Sequence, residues 1–173
     1  GHGITDGTDP SVWGDELSIL KPGLALCKKV SNGNIMWQSR CASGVFNALG
    51  NMYNDPKFKV SPDADPYALC RKGKFDVIDA EACYSQMNTV ASDLSGGDLQ
   101  DMIDYSKVIT NERFRIAALK EAVSYYVQML KRRQQQLSAA DMNRCAELSQ
   151  PYRDTCVQGL VGGVYEFGSP EKK

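Results

Sequence analysis

The chain has 173 residues, 42% of them hydrophobic and 24% charged, a composition that supports a folded core and argues against intrinsic disorder. No apolar run approaches the roughly 20 residues that span a bilayer, and we predict neither a transmembrane segment nor a signal peptide. Residues 1–105 hold 14 acidic and 9 basic side chains, a net charge of −5, whereas residues 106–173 hold 7 acidic and 11 basic side chains, a net charge of +4. This division of charge favours a protein partner or self-association over nucleic-acid binding.

Helix signals follow one another along the chain, and no segment alternates as a strand does. Asp9–Pro10 and Asp65–Pro66 each place a capping carboxylate before a proline, and Ser138 with Asp141 forms a capping-box pattern. The predicted helices are 10–20, 22–30, 37–54, 65–73, 79–92, 98–106, 111–136, 138–149 and 151–166. We therefore predict an all-α fold, in a single domain over 1–173 with a soft division near 93–98.

The helix predicted over 111–136 is amphipathic and ends in a basic cluster. Its apolar positions are Ile116, Leu119, Val123, Val127 and Leu130. Lys131, Arg132 and Arg133 fall in its last turns, where positive charge complements the helix dipole. This reading is favoured over a nucleic-acid patch, because no aromatic platform is interleaved with the cations.

The six cysteines, Cys27, Cys41, Cys70, Cys83, Cys145 and Cys156, include no pair with CxxC spacing. An even number of widely spaced cysteines predicts three disulfides and an oxidising compartment. The alternative is six reduced cysteines buried as small apolar side chains. Six cysteines allow 15 pairings.

The repeated placement of the cysteines relative to the predicted helices selects one of these pairings. In each of Cys27–Cys41, Cys70–Cys83 and Cys145–Cys156, the first cysteine lies late in one predicted helix and the second lies early in the next. The flanking stretches "PGLALCKK" and "PYALCRK" also match. A further cysteine-free unit around 111–136 would complete an array of about four helical hairpins, a solenoid cross-linked by three disulfides.

We interpret the segment after Cys41 as a structural joint, by which we mean the start of a helix that a disulfide holds to the preceding helix. Gly44 would permit close helix packing, and Val45, Leu49 and Met52 would fill the core. The stretch "TCVQGLVGGVYEFG" at 155–168 repeats the cysteine and glycine spacing and would form the same joint.

The stretches "ALGNMY", "VSPDADPYALC" and "DAEAC", within residues 41–91, resemble the Sel-type branch of tetratricopeptide-like repeats, in particular its secreted, disulfide-bridged bacterial members. The "GLVGGVY" stretch at 159–165 departs from that repeat. The resemblance implies a right-handed helical superhelix, the TPR/Sel-like solenoid, that binds other proteins and catalyses nothing.

Candidates for chemistry are few. His2 is the only histidine and is a candidate metal ligand, either together with residues outside this sequence or through backbone nitrogens near a free terminus. A disordered terminus or a cloning residue is the favoured interpretation. Asp101 and Asp104 share a predicted helix face and are a candidate metal or acid–base pair, although acidic residues early in a helix also complement its dipole. We expect no cofactor and no enzymatic activity, and a hydrolase that uses these two carboxylates is the weakest hypothesis.

Partner binding has better candidates. Tyr125 and Tyr126 are adjacent, so both cannot face one core, and Trp13 precedes the first cysteine, where a partner could cover it. Together with Lys131, Arg132 and Arg133, they form the predicted partner-binding set. We predict a periplasmic, secreted or cell-surface scaffold for protein binding or assembly, and the alternative is an extracytoplasmic carrier of a small molecule or a metal.

Overall fold

The computed structural model describes residue 3 and residues 7–168, and their regular structure is helical throughout, which confirms the all-α class. Its α-helices are α1 (Glu16–Ser31), α2 (Ile35–Met52), α3 (Ala68–Lys72), α4 (Val77–Gln86), α5 (Asn88–Leu94), α6 (Leu99–Lys107), α7 (Glu112–Arg132), α8 (Ala139–Ala146) and α9 (Tyr152–Phe167). Two short 3₁₀ helices, Pro10–Val12 and Pro56–Phe58, lie in the connections.

Contacts divide the chain into two compact units, one up to Met87 and one from Asn88 onward. The division falls before the 93–98 loop, in the middle of the helix predicted over 79–92. Met87 still donates its N–H to the Cys83 carbonyl, but its ψ of 9° leaves the helical conformation and ends α4. The predicted helix is therefore two helices, and α5 packs on α7 of the second unit.

In the first unit, α1 and α2 form a hairpin and α4 packs on α2. The predicted break at 21 is absent: residues 16–20 and 22–30 belong to one helix, which Asp15 caps by accepting a hydrogen bond from the Leu17 N–H and which contains Pro22. Residues 10–12 of the helix predicted over 10–20 form a separate 3₁₀ helix. The buried positions continue through the proline, from Ile19 and Leu20 to Leu24 and Cys27, so packing outweighs the lost backbone hydrogen bond.

The core of the first unit contains Val45, Leu49 and Met52, as predicted. Gly23 of α1 lets the two helices approach closely, because a Cβ there would lie 3.0 Å from Cγ2 of Val45. Gly44 of α2 is half-buried, and its part in helix packing stays a prediction.

In the second unit, α5, α6 and α9 pack on α7, and α8 packs on α9. The buried face of α7 includes Leu119, Val123, Val127 and Leu130, four of the five predicted positions, while Ile116 is half-buried. This unit is organised around one central helix. The successive stacking of hairpins that a solenoid requires stays a prediction.

Three disulfides join the predicted pairs: Cys27–Cys41 links α1 to α2, Cys70–Cys83 links α3 to α4, and Cys145–Cys156 links α8 to α9. Their Cα–Cα distances of 5.5, 5.7 and 5.4 Å lie in the usual range for disulfides. The predicted capping box is also present: Asp141 N–H donates to the Ser138 hydroxyl, and Ser138 N–H donates to the Asp141 carboxylate. Asp9 caps the first 3₁₀ helix and not an α-helix.

Candidate functional site

The predicted partner-binding aromatics differ in how far they are buried. Trp13 is half-buried and packs edge-on against Phe58 of the same unit, with ring centroids 5.0 Å apart, and its role as a partner contact stays a prediction. Tyr126 is buried and donates to Oδ1 of Asp141 at 2.9 Å. Burial, and then the Asp141 carboxylate, raise the pKa of Tyr126 to about 12. Tyr126 is therefore a core residue of the second unit, and its role as a partner contact stays a prediction.

Tyr125 is half-buried, with the Arg132 guanidinium 5.9 Å from its ring centroid, so this member of the pair does reach the surface. Lys131, Arg132 and Arg133 are exposed. Arg133 donates to the Gly96 carbonyl at 3.1 Å, which ties the end of α7 to the loop after α5. Lys131 and Arg132 remain as the cations of this surface.

The end of α7 has a specific backbone conformation. Gln134 adopts φ +58°, and Gln135 N–H donates to the Leu130 carbonyl at 2.8 Å while Gln134 N–H donates to the Lys131 carbonyl at 3.0 Å. This pair of hydrogen bonds is a Schellman motif, with glutamine where glycine is usual. The motif ends the helix at Arg132. The sequence analysis predicted an end at 136, since no glycine or asparagine marks the end of this helix.

The chain beyond this motif borders a groove of about 410 Å³ between the ends of α7 and α9, which we call the α7 groove. Its apolar lining consists of Val127, Leu130, Leu137, Val164 and Phe167. Its polar edge consists of Lys131, Gln134, Gln135 and Gln136. The sequence analysis predicted Lys131 as a partner contact but did not predict the groove. Part of the apolar lining comes from α9, which is distant from α7 along the chain.

Asp101 and Asp104 lie on an exposed face of α6. Asp98 caps this helix and accepts from the Asp101 N–H at 3.2 Å. Asp104 accepts from Gln100 and pairs with Lys107. Over the described part of the chain, no three side chains of His, Cys, Asp or Glu come together as a metal site. His2 lies outside the described residues.

The first unit contains a buried polar cluster that the sequence did not predict. Asp79 is 1% exposed, with one oxygen 3.2 Å from Nε2 of Gln38 and the other 3.3 Å from Nζ of Lys28. Asp76 caps α4 and lies 2.8 Å from the same Nζ. The hydrogen bond to Asp76 is the main cause that raises the pKa of Lys28. Burial opposes ionisation of Asp76, but its hydrogen bonds to the Asp79 N–H and to Lys28 outweigh burial and lower its pKa.

This cluster borders a cleft of about 270 Å³. Both carboxylate oxygens of Asp79 already have partners, so the cluster holds α1, α2 and α4 together and leaves no buried acceptor for a ligand. We read it as a structural cluster.

A second groove in the C-terminal unit, of about 620 Å³, contains the partly buried Glu121. Burial, and to a smaller extent Glu166, raise the pKa of Glu121. A raised carboxyl pKa means that the ionised form is less stable in the folded protein than in the unfolded chain. Its cost is absent below the unfolded pKa of about 4.3 and grows as pH rises towards the folded pKa.

Glu121→Gln is therefore expected to raise the melting temperature at pH 7, because the neutral amide avoids the cost of burying a charge. Thermal unfolding of both proteins should show the difference disappear near pH 3, at which the carboxyl is protonated in both states. A variant less stable than the parent at pH 7, or a difference unchanged by pH, would contradict this account of Glu121.

Within the described residues, no helix combines the length and the apolar character needed to cross a membrane. A scan against models of protein families, a search of curated proteins and a search of solved structures found no match to this chain.

Proposed function

We propose that this protein is a disulfide-linked helical scaffold that works outside the cytoplasm and binds a protein partner in the α7 groove. The observation that carries the proposal is the combination, in one groove, of an apolar lining, three glutamine amides and a basic edge. Interfaces with partners join a desolvated apolar centre to a polar rim, and the groove offers both.

The charges at the groove indicate the chemistry of the partner. Lys131 is exposed at the edge of the lining, so an apolar anchor beside an acidic residue would complement the groove. The amides of Gln134, Gln135 and Gln136 can both donate and accept, as the backbone of a bound segment requires. The partner segment is thus an apolar and acidic stretch of another protein.

The disulfides support a place outside the cytoplasm, because such bonds persist in oxidising compartments. The proposal includes no catalytic step. The carboxylates considered for one, Asp101 and Asp104, lie on an open helix face, and Asp104 is occupied by Gln100 and Lys107.

Site-specific photocrosslinking in the native host tests this function. A photoreactive amino acid in place of Gln135 should give one adduct with the mass of the chain plus one other protein, and the same substitution at Lys120, exposed on the same helix outside the groove, should not. Reversal of the edge charge with Lys131→Glu should lower the adduct yield about tenfold or more, since like charges across an interface are strongly unfavourable.

Two outcomes would contradict the proposal. Equal adducts from positions 135 and 120 would remove the specificity of the groove. An adduct of two copies of this chain would mean self-association at this surface and not a separate partner.

A further inference from the structure

The turn between α1 and α2 exposes a group of large apolar side chains, which we call the hairpin tip. Val30 is 59% exposed, Ile35 65%, Met36 53% and Trp37 62%. Ile35, Met36 and Trp37 are consecutive in the first turn of α2, where successive side chains point about 100° apart. They cover a wide arc of the helix and cannot all be buried in the core of their own unit.

The backbone holds the tip in a defined shape. Asn32 and Gly33 both have positive φ, and the Asn34 side chain accepts from the Trp37 N–H at 3.1 Å to cap α2. The Ser31 hydroxyl donates to the Lys28 carbonyl at 2.9 Å, and the Cys27–Cys41 disulfide joins the two helices behind the turn. The apolar side chains are therefore presented at the end of a helical hairpin that a disulfide cross-links.

The charge around the tip has one sign. Residues 17–54 contain four cations, Lys21, Lys28, Lys29 and Arg40, and no carboxylate. Asp76 and Asp79 pair with Lys28. Lys29, next to Val30, and Arg40, three residues after Trp37, are exposed and flank the apolar group.

We propose that the hairpin tip binds the surface of a lipid bilayer that contains anionic headgroups. Tryptophan is enriched at the level of the headgroups, and short apolar groups insert to the acyl boundary while lysine and arginine attract anionic lipid. A tip with four apolar side chains that are each more than half exposed, and with flanking cations, matches this surface in polarity and in charge. With two flanking cations, binding is weak and reversible. The tip is in the first unit, so this proposal does not depend on the α7 groove.

Trp37 allows a direct test. The chain has two tryptophans, so Trp13→Phe leaves Trp37 as the only one. Vesicles of phosphatidylcholine with phosphatidylglycerol should shift its emission to shorter wavelength and carry the protein in cosedimentation. Vesicles of phosphatidylcholine alone should do neither to a comparable extent.

A matched pair of valines distinguishes the effect of a substitution in the tip from the effect of the same substitution at another exposed apolar position. Val30 and Val161 are 59% and 61% exposed, and both lie in helices. Val30→Asp should weaken cosedimentation with anionic vesicles about tenfold or more, because it puts an anion into the tip, while Val161→Asp should leave it unchanged. If Val30→Asp fails to fold, the charge reversals Lys29→Glu and Arg40→Glu should give the same loss.

The proposal is overturned if neither kind of vesicle binds, or if both kinds bind equally. Equal loss in the two valine variants would also overturn it. Sedimentation equilibrium adds a further outcome: a dimer of the parent that Val30→Asp dissociates would assign the tip to a second copy of this chain in place of lipid.

Discussion

Replacement of Cys145 and Cys156 together by alanine is expected to lower the free energy of unfolding by about 3–5 kcal/mol, the largest effect expected here of any one pair of substitutions. The bond closes a short loop between α8 and α9, with a sequence separation of 11. Its loss raises the conformational entropy of the unfolded chain and so stabilises the unfolded state. Both cysteines are also fully buried in the core of the second unit, and their removal loses packing. Urea denaturation of the variant and the parent measures the change.

The same replacement at Cys27 and Cys41 is the matched control. Its loop is slightly longer, with a separation of 14, so the loss of chain constraint is similar, but Cys41 is only half-buried. The first unit should therefore lose less than the second. A change below about 1 kcal/mol for Cys145 and Cys156 would show that this bond is not structural.

Gly159→Ala is expected to cost about 1–3 kcal/mol, because α9 crosses α7 too closely for a methyl group at this position. A Cβ on Gly159 would lie 2.8 Å from the Lys120 carbonyl oxygen and 3.0 Å from Cβ of Val123. The carbonyl belongs to a helix backbone, so the helices must separate to make room. Thermal or urea unfolding measures the loss.

Gly162→Ala, one turn along the same helix, should have the opposite sign. A Cβ there meets nothing within 4 Å, so alanine lowers the entropy of the unfolded chain at no steric cost and gains up to about 1 kcal/mol. Equal effects at Gly159 and Gly162 would contradict the close approach of α9 to α7.

The features predicted correctly from the sequence are those set by neighbours a few residues away. Helical periodicity placed Val45, Leu49 and Met52 in the core, and Ser138 and Asp141 form the predicted capping box. The disulfide pairing could also be predicted, because each pair joins the adjoining ends of consecutive helices and the flanking residues repeat.

The features that the sequence did not predict depend on tertiary packing. Pro22 reads as a helix start but lies inside α1, because apolar positions on both sides of it are buried. Gln134 carries the positive φ that usually marks a glycine, so the end of α7 has no local signal. Gly23 lets α1 approach Val45 of α2, a contact that depends on which residue of the neighbouring helix faces this glycine.

The candidate site was predicted only in part for the same reason. The basic residues at the end of α7 are visible in the sequence, but Val164 and Phe167 of α9 line the groove and come from a distant segment. Tyr125 and Tyr126 could be recognised as facing different ways, yet only the contact with Asp141 shows that Tyr126 is the buried one. Trp37 is 62% exposed in the first turn of α2, an exposure that helical periodicity alone does not predict.

Native mass spectrometry of the protein isolated from its natural source tests the central claim, a disulfide-linked scaffold that binds a protein, most directly. The account predicts a chain whose six cysteines are all oxidised, in a complex of fixed stoichiometry with a second protein. Six free thiols, or a chain that carries the mass of a metal or a small molecule and no protein partner, would contradict it.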